Sequence, residues 1–334
     1  MGISPPHSHS LSSAGCYTAV LLDSPHLNSV GTALLLYVLP GLALMSWIAA
    51  RCPVDAAEWL TVGVGSGLAL AILVGLGVHY LPGPLGRSSV LIGTDLLIVV
   101  FVIAAWVTEK RAFLAQPDPA GGPLAGQDGS TIPGERRTPK LALAVMLLVL
   151  VGLAAFYRFT FLGYSEFQGD ESLVTWATAR AIMGEDDILF QHGKSPAEVV
   201  LPATYWVLDG RLNEASARFP FALAGLTAVL GGFLLGRSFW EERVGLIAAF
   251  LFAVNGYFIG FSRVVQYQSL VVLMGVRVCW HITTDFWSSR WWLTCGLEAG
   301  GRWADRASHV QVLGGPCPLG WFWRWVPLRR FICR

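Results

Sequence analysis

The chain has 334 residues, 54% of them hydrophobic and only 13% charged, with a formal net charge of +1. Soluble domains carry roughly 25% charged residues, so this composition excludes an ordinary soluble class and points to the bilayer. No dense Lys/Arg run interleaves with aromatics, which excludes a nucleic-acid groove, and the six cysteines form no CxxC pair, so neither a zinc site nor a disulfide framework is expected.

The N-terminal stretch MGISPPHSHSLSSAG has no basic region and no apolar run directly behind it, so no cleaved signal peptide is expected. Six apolar runs approach the ~20 residues needed to cross a bilayer, at 30–50, 59–81, 88–107, 141–162, 215–236 and 244–261. A seventh begins near Val264 and fails after about a dozen residues. No Lys or Arg precedes Val30, whereas the connection between the third and fourth runs carries Lys110, Arg111, Arg136, Arg137 and Lys140. The positive-inside rule makes that connection cytoplasmic and puts the N-terminus and the loop 163–214 on the extracytoplasmic side. Arg237 and Arg243 agree, while Arg180, Lys194 and Arg211 count weakly against. The segment 108–140 is rich in Gly, Pro and polar residues, reads as a flexible linker, and divides a three-span unit (1–107) from the residues that carry candidate chemistry. Asp95 is a functional candidate as an acid within an apolar run, or an interfacial group, since it lies near the start of that run.

Within the 163–214 loop, Leu173, Trp176, Ala177, Ala181 and Ile182 roughly follow helical spacing and predict an amphipathic helix along the membrane surface. The stretch AEVVLPATYWVLDG contains Pro202 and is too short to cross, so it is expected to dip into or lie on the interface. Two such elements flanking FQHGKSP would roof a cavity.

The sequence YSEFQGDESL sets Asp170 and Glu171 side by side at the start of this loop. On a helix, adjacent side chains diverge by about 100°, so the two do not face each other across a bond as paired glycosidase carboxylates do. One of them acting alone as a general base, with the other holding a metal or supporting it, is one reading. Two solvated anions favoured by the helix dipole is the other. Lys194 and His192 follow in QHGKSP, Arg218 in ARFP and Arg263 in FSRVVQYQSL, all expected on the same face, where a Lys neutralises a phosphate as a point charge and an Arg grips one bidentately. Singly, each reads as a snorkelling headgroup contact. Their convergence favours a site.

FQGDES, then HGKSP, then ARFPFALAGLTAVLGGFLLGRSFWEERVGLIAAFLFAVNGYFIGFSRVVQYQSL resembles the polytopic glycosyltransferases of the protein O-mannosyltransferase and aminoarabinose-transferase type, glycosyltransferase family 39-like, over about 141–275. The resemblance implies an all-α polytopic membrane protein holding the N-terminal part of a GT-C module, with surface-lying helices in its first large outer loop. It implies a polyprenyl-phosphate-linked sugar as donor, a lipid, glycan or protein hydroxyl as acceptor, and transfer outside the plasma membrane. Asp170 would take the acceptor proton while Glu171 assists it or binds a divalent cation; no cofactor is otherwise implied. Lys194 matches the phosphate-contacting position, with His192, Arg218 and Arg263 as further phosphate contacts. The chain has KSP where the pattern often shows two prolines.

Beyond about Gly275 the composition changes. Trp280, Trp287, Trp291, Trp292, Trp303, Trp321, Trp323 and Trp325, four cysteines and no lysine fall in 276–334, with no helical or strand periodicity. A reading-frame change near Gly275, leaving a truncated and inactive transferase, is the expectation for this tail. The reading from another class is a non-catalytic membrane scaffold or a transporter, for which the internal repeat a transporter would show is not seen.

Overall fold

The computed structural model describes residues 25–50, 55–114, 140–185 and 187–283. Most of the expected linker, and the expected tail from 284 on, lie outside them; the first residues of that tail, 276–283, continue a helix that starts at Gln268, where no helical periodicity was expected. Every regular element among the described residues is a helix. The first span is one apolar rod made of α1 (Pro25–Ala33), a π-helical turn (Leu34–Val38) and α2 (Leu39–Ala49), followed by α3 (Ala56–His79), α4 (Arg87–Leu114) and α5 (Lys140–Phe159). The 163–214 loop holds α6 (Asp170–Ile182), α7 (Ile188–Gln191) and α8 (Pro196–Asp209), and the chain continues into α9 (Glu214–Phe239), α10 (Glu242–Val254), α11 (Gly256–Ser262) and the shorter apolar helix α12 (Gln268–Thr283).

Five helices, Asn28–Ala49, Ala56–His79, Arg87–Lys110, Leu141–Phe159 and Glu214–Phe239, are long and apolar enough to cross a membrane. The chain is an all-α, multi-pass membrane protein. The sixth expected run, 244–261, is not one straight helix: α10 and α11 meet at 61°. Asn255 leaves the helix in an extended conformation, and its side chain accepts the Tyr257 and Phe258 N–H groups at 3.0 and 3.2 Å to start α11 anew. Arg158, fully buried at the end of α5, donates to the Phe252 and Ala253 carbonyls on the other side of the break at 2.9 and 3.2 Å.

The main core draws on both the first three spans and the residues that follow the linker. Leu36, Tyr37, Leu68, Val74 and Val78 of the first spans bury the same cluster as Val199, Leu201 and Tyr205 of α8 and Phe221 and Ala224 of α9. Polar contacts repeat the join: Tyr37 Oη donates to the Leu201 carbonyl at 3.2 Å, Tyr205 Oη to the Ser29 carbonyl at 3.1 Å, and Asn28 Nδ2 to the Asp209 carbonyl at 2.6 Å. α8 is therefore enclosed by protein on nearly every side, where the sequence suggested an element lying on the interface. At about 21 Å it is too short to span. A hydrophobic helix of that length is kept from water by the neighbours it packs on, not by lipid on one face.

The join between α2 and α3 depends on glycine. A Cβ at Gly67 would overlap the Tyr37 carbonyl oxygen, and one at Gly41 the Gly63 carbonyl oxygen. Gly77, on the same helix as Gly67, has nothing within 4 Å of that position. Gly67→Ala is expected to destabilise the protein by about 1–3 kcal/mol through overpacking, and Gly77→Ala to leave it unchanged or slightly more stable, as read from thermal unfolding in detergent.

Candidate active site in the 163–214 loop

Gly169 starts α6 with φ at 56°, a left-handed conformation that glycine adopts without a Cβ clash. Asp170 and Glu171 then occupy the first turn, where the helix dipole favours anions. Their directions diverge as adjacent helical residues must: Asp170 is exposed, and Glu171 is buried beneath it.

Glu171 is met from below by Arg218 of α9, itself 1% exposed. The pair is bidentate, with Arg218 Nε donating to Glu171 Oε1 and Nη2 to Oε2, both at 2.7 Å. The remaining guanidinium protons go to backbone: Nη1 to the Leu162 and Ser165 carbonyls at 3.0 and 3.1 Å, and Nη2 to the Glu166 carbonyl at 3.4 Å. A guanidinium has five N–H donors, and all five are engaged. Glu171 Oε1 also accepts the Val265 N–H at 3.0 Å. All the donors of Arg218 are thus bonded within the protein, and both Glu171 carboxylate oxygens are bonded to Arg218, one of them to the Val265 N–H as well.

Arg263 is half-buried and bonded to backbone through two of its five N–H donors. It donates to the Tyr157 and Phe161 carbonyls at 2.7 and 3.1 Å, at the C-terminal end of α5, where a cation complements the helix dipole. The Tyr164 ring lies between the two arginines, 5.2 Å from the Arg263 guanidinium carbon and 5.1 Å from that of Arg218. Phe161 has a positive φ of 52°. A residue other than glycine is held there at a cost of about 1–3 kcal/mol, and the two arginines fix its own carbonyl and the next one.

His192 turns inward. Its Nε2 lies 2.9 Å from Glu198 Oε2, with both side chains buried, and Glu198 Oε1 accepts the Tyr267 N–H at 2.7 Å. Glu198 was missed in the sequence. Ser195-Pro196-Ala197-Glu198 has the S-x-x-E form of a capping box; Ser195 does accept the Ala197 N–H at 3.3 Å, but the Glu198 carboxylate goes elsewhere. Arg158 was missed as well, since an Arg at the end of an apolar run reads as snorkelling. It lines an enclosed cavity of about 20 Å³ with Phe252, Tyr257, Gln268 and Ser269. That is room for about one water and none for a sugar.

What remains accessible is Asp170 and Lys194. Lys194 Nζ donates to Asp170 Oδ2 at 2.8 Å, and both side chains stay substantially in solvent. The hydrogen bond and charge of Lys194 hold the Asp170 carboxyl below the usual carboxylate range, and Asp170 in turn raises the Lys194 ammonium. Lys194 also lines an open cleft of about 450 Å³ with Leu76 and Tyr80 from the end of α3, Leu189, Phe190, Gly193 and Pro196. The six sequence candidates thus separate into the exposed Asp170–Lys194 pair, three buried side chains bonded within the protein (Glu171, His192 and Arg218), and the half-buried Arg263. Among the described residues no group of three or more His, Cys, Asp or Glu side chains is arranged to hold a metal ion, and Glu171 already neutralises Arg218.

Removing one partner of a buried ion pair costs about 3–5 kcal/mol, because the other charge is stranded. Arg218→Met and Glu171→Gln are each expected to lower the thermal midpoint in detergent strongly. The double variant Arg218→Met/Glu171→Leu is expected to recover part of that loss.

Residues 202–303 match the family model described as dolichyl-phosphate-mannose-protein mannosyltransferase. The match takes in less than a third of the chain; it contains Arg218 and Arg263 and runs past Gly275, whereas Asp170, Glu171, His192 and Lys194 precede it. No curated protein and no solved structure matches the chain. Over that stretch the chain is similar to membrane glycosyltransferases of the mannosyltransferase type.

Proposed function

We propose that the protein moves a sugar from a polyprenyl-phosphate-linked donor to a hydroxyl of a lipid, glycan or protein acceptor, on the extracytoplasmic side of the plasma membrane. The observation that carries this reading is the double placement of Lys194, which is both the ion-pair partner of Asp170 and the one charged group among the described residues lining the adjoining cleft. A cleft with apolar walls and a single cation suits an amphiphile whose phosphate meets the ammonium while its chain lies along Leu76, Tyr80, Leu189 and Phe190. The likeness of residues 202–303 to the mannosyltransferase family supports the reaction class.

The residues then act as follows. Asp170 accepts the acceptor hydroxyl proton as that oxygen bonds to the anomeric carbon, and the bond from that carbon to the phosphate oxygen breaks with its electron pair passing to the phosphate. Lys194 stabilises the charge that develops there. A phosphate leaves without a proton donor, so one carboxylate suffices where a glycosidase uses two. The ion pair also couples binding to reactivity. While Lys194 holds Asp170, its carboxylate is a weak base; once the donor phosphate draws Lys194 away, the cause of the lowered pKa is gone and the carboxylate becomes a stronger one.

Transfer of labelled sugar in membranes tests this. Asp170→Asn is expected to cut the rate by about 10²–10⁴-fold, and an undiminished rate would remove Asp170 as the base. The acid limb of the pH–rate profile provides a second check. Asp170 is active when ionised, and Lys194 keeps it ionised to lower pH than usual. Lys194→Met is therefore expected to move the acid limb of kcat/KM, which reports the free enzyme, to higher pH, along with weaker donor binding.

A further inference from the structure

We infer that Glu198 is a positioning residue for the Asp170–Lys194 pair, acting through the turn between α11 and α12; this rests on the proposal that the pair is the reacting centre. Asp170 and Lys194 sit on separate pieces of the loop, one at the first residue of α6 and the other just before α8. The two helices pack on each other through Val174, Ala177, Val199 and Val200, with Thr178 Oγ1 donating to the Val199 carbonyl at 3.4 Å. The turn ties their N-terminal ends together. Its Val265 N–H donates to Glu171 Oε1 at 3.0 Å, and its Tyr267 N–H donates to Glu198 Oε1 at 2.7 Å. One short piece of backbone is thus gripped by two buried carboxylates, each from the first turn of a different helix. Glu171 is bonded to its chain neighbour Asp170, so the first grip fixes where Asp170 starts. Glu198 fixes the start of α8, and its second oxygen, 2.9 Å from His192 Nε2, folds the preceding segment back over the helix. Lys194 lies between those two anchors, His192 and Glu198, and faces Asp170 at 2.8 Å.

The two grips differ in what else they do. Glu171 is also the partner of Arg218 and cannot be removed without disturbing the loop as a whole. Among the described residues the Glu198 side chain bonds to His192 and to the turn, the two contacts that flank Lys194, so its loss acts on the placement of Lys194.

Carbodiimide coupling of the full chain in detergent reads this placement without any substrate. The reagent joins a carboxylate directly to an amine only while the two are in contact, and the Asp170–Lys194 cross-link is counted by peptide mass spectrometry, with Asp170→Asn as the blank. Glu198→Ala is expected to lower the yield about tenfold and the transfer rate by a similar factor, as misplacement of reacting groups does. Glu198→Gln retains an oxygen for the Tyr267 N–H and is expected to restore most of both. A folded Glu198→Ala protein, judged by gel filtration and thermal unfolding, with unchanged cross-link yield overturns the inference. Should Glu198→Ala not fold, Glu198→Asp serves in its place, since the shorter side chain no longer reaches both His192 and the Tyr267 N–H, and an unchanged yield there overturns the inference equally. If the wild type forms the cross-link in a Glu198-dependent manner but transfers no sugar, the positioning stands and the proposed reaction falls.

Discussion

The buried pair of Arg218 and Glu171 is the interaction on which the loop depends. Taking a guanidinium and a carboxylate out of water costs several kcal/mol for each ion, and their attraction offsets this only where the geometry is good and the other donors are satisfied. Here both conditions hold: two 2.7 Å bonds join the charges, and the spare protons of Arg218 gather the carbonyls of Leu162, Ser165 and Glu166. The segment between α5 and α6 has no helical bonds of its own to satisfy these carbonyls. Arg218 takes the place of a helix for it. Because Glu171 is drawn inward, the adjacent Asp170 is turned outward, so the position of the candidate base follows from a contact it does not make.

The first three spans belong to the same argument. α8 buries Val199, Val200, Leu201, Ala203, Tyr205 and Leu208 almost completely, and part of that cover comes from α1, the π-helical turn and α3. A fourteen-residue helix with that composition needs neighbours around its whole circumference. The N-terminal spans supply them, and the end of α3 then adds Leu76 and Tyr80 to the cleft beside Lys194. Their contribution is both to the core and to the wall of the site.

Much of this was legible in the sequence because it rests on local regularities. Apolar run length marked the spans, since crossing hydrocarbon demands about 20 residues regardless of context. The helix beginning at Asp170 was visible in the spacing of Leu173, Trp176, Ala177 and Ala181. Asp170 and Lys194 were picked out by chemistry and are in contact. Other features were not legible, each because it is set by partners distant in sequence. The roles of Arg218 and Glu171 are fixed by each other across 47 positions, and that of Glu198 by Tyr267 across 69. A charged residue on a membrane face presents the same letter whether it is solvated, snorkelling or buried against its counter-ion. The 61° break at Asn255 was masked by the apolar residues on both sides, although Asn-Gly is a turn pair.

The loop sorts its ionisable groups by what they contribute. Glu171 and Glu198 are buried, multiply bonded and specific in geometry, so they hold backbone in place. The Asp170–Lys194 pair is exposed, and exposed ion pairs contribute little to stability. Nothing in the fold requires that pair to persist. A contact that costs the fold little to open is what a site needs if its cation is to leave a carboxylate for an incoming phosphate. The same pair, buried and rigid, would hold Lys194 against any ligand. Stability placed in the two inner carboxylates therefore leaves the outer one free to exchange partners, while the turn they share keeps that exchange within reach.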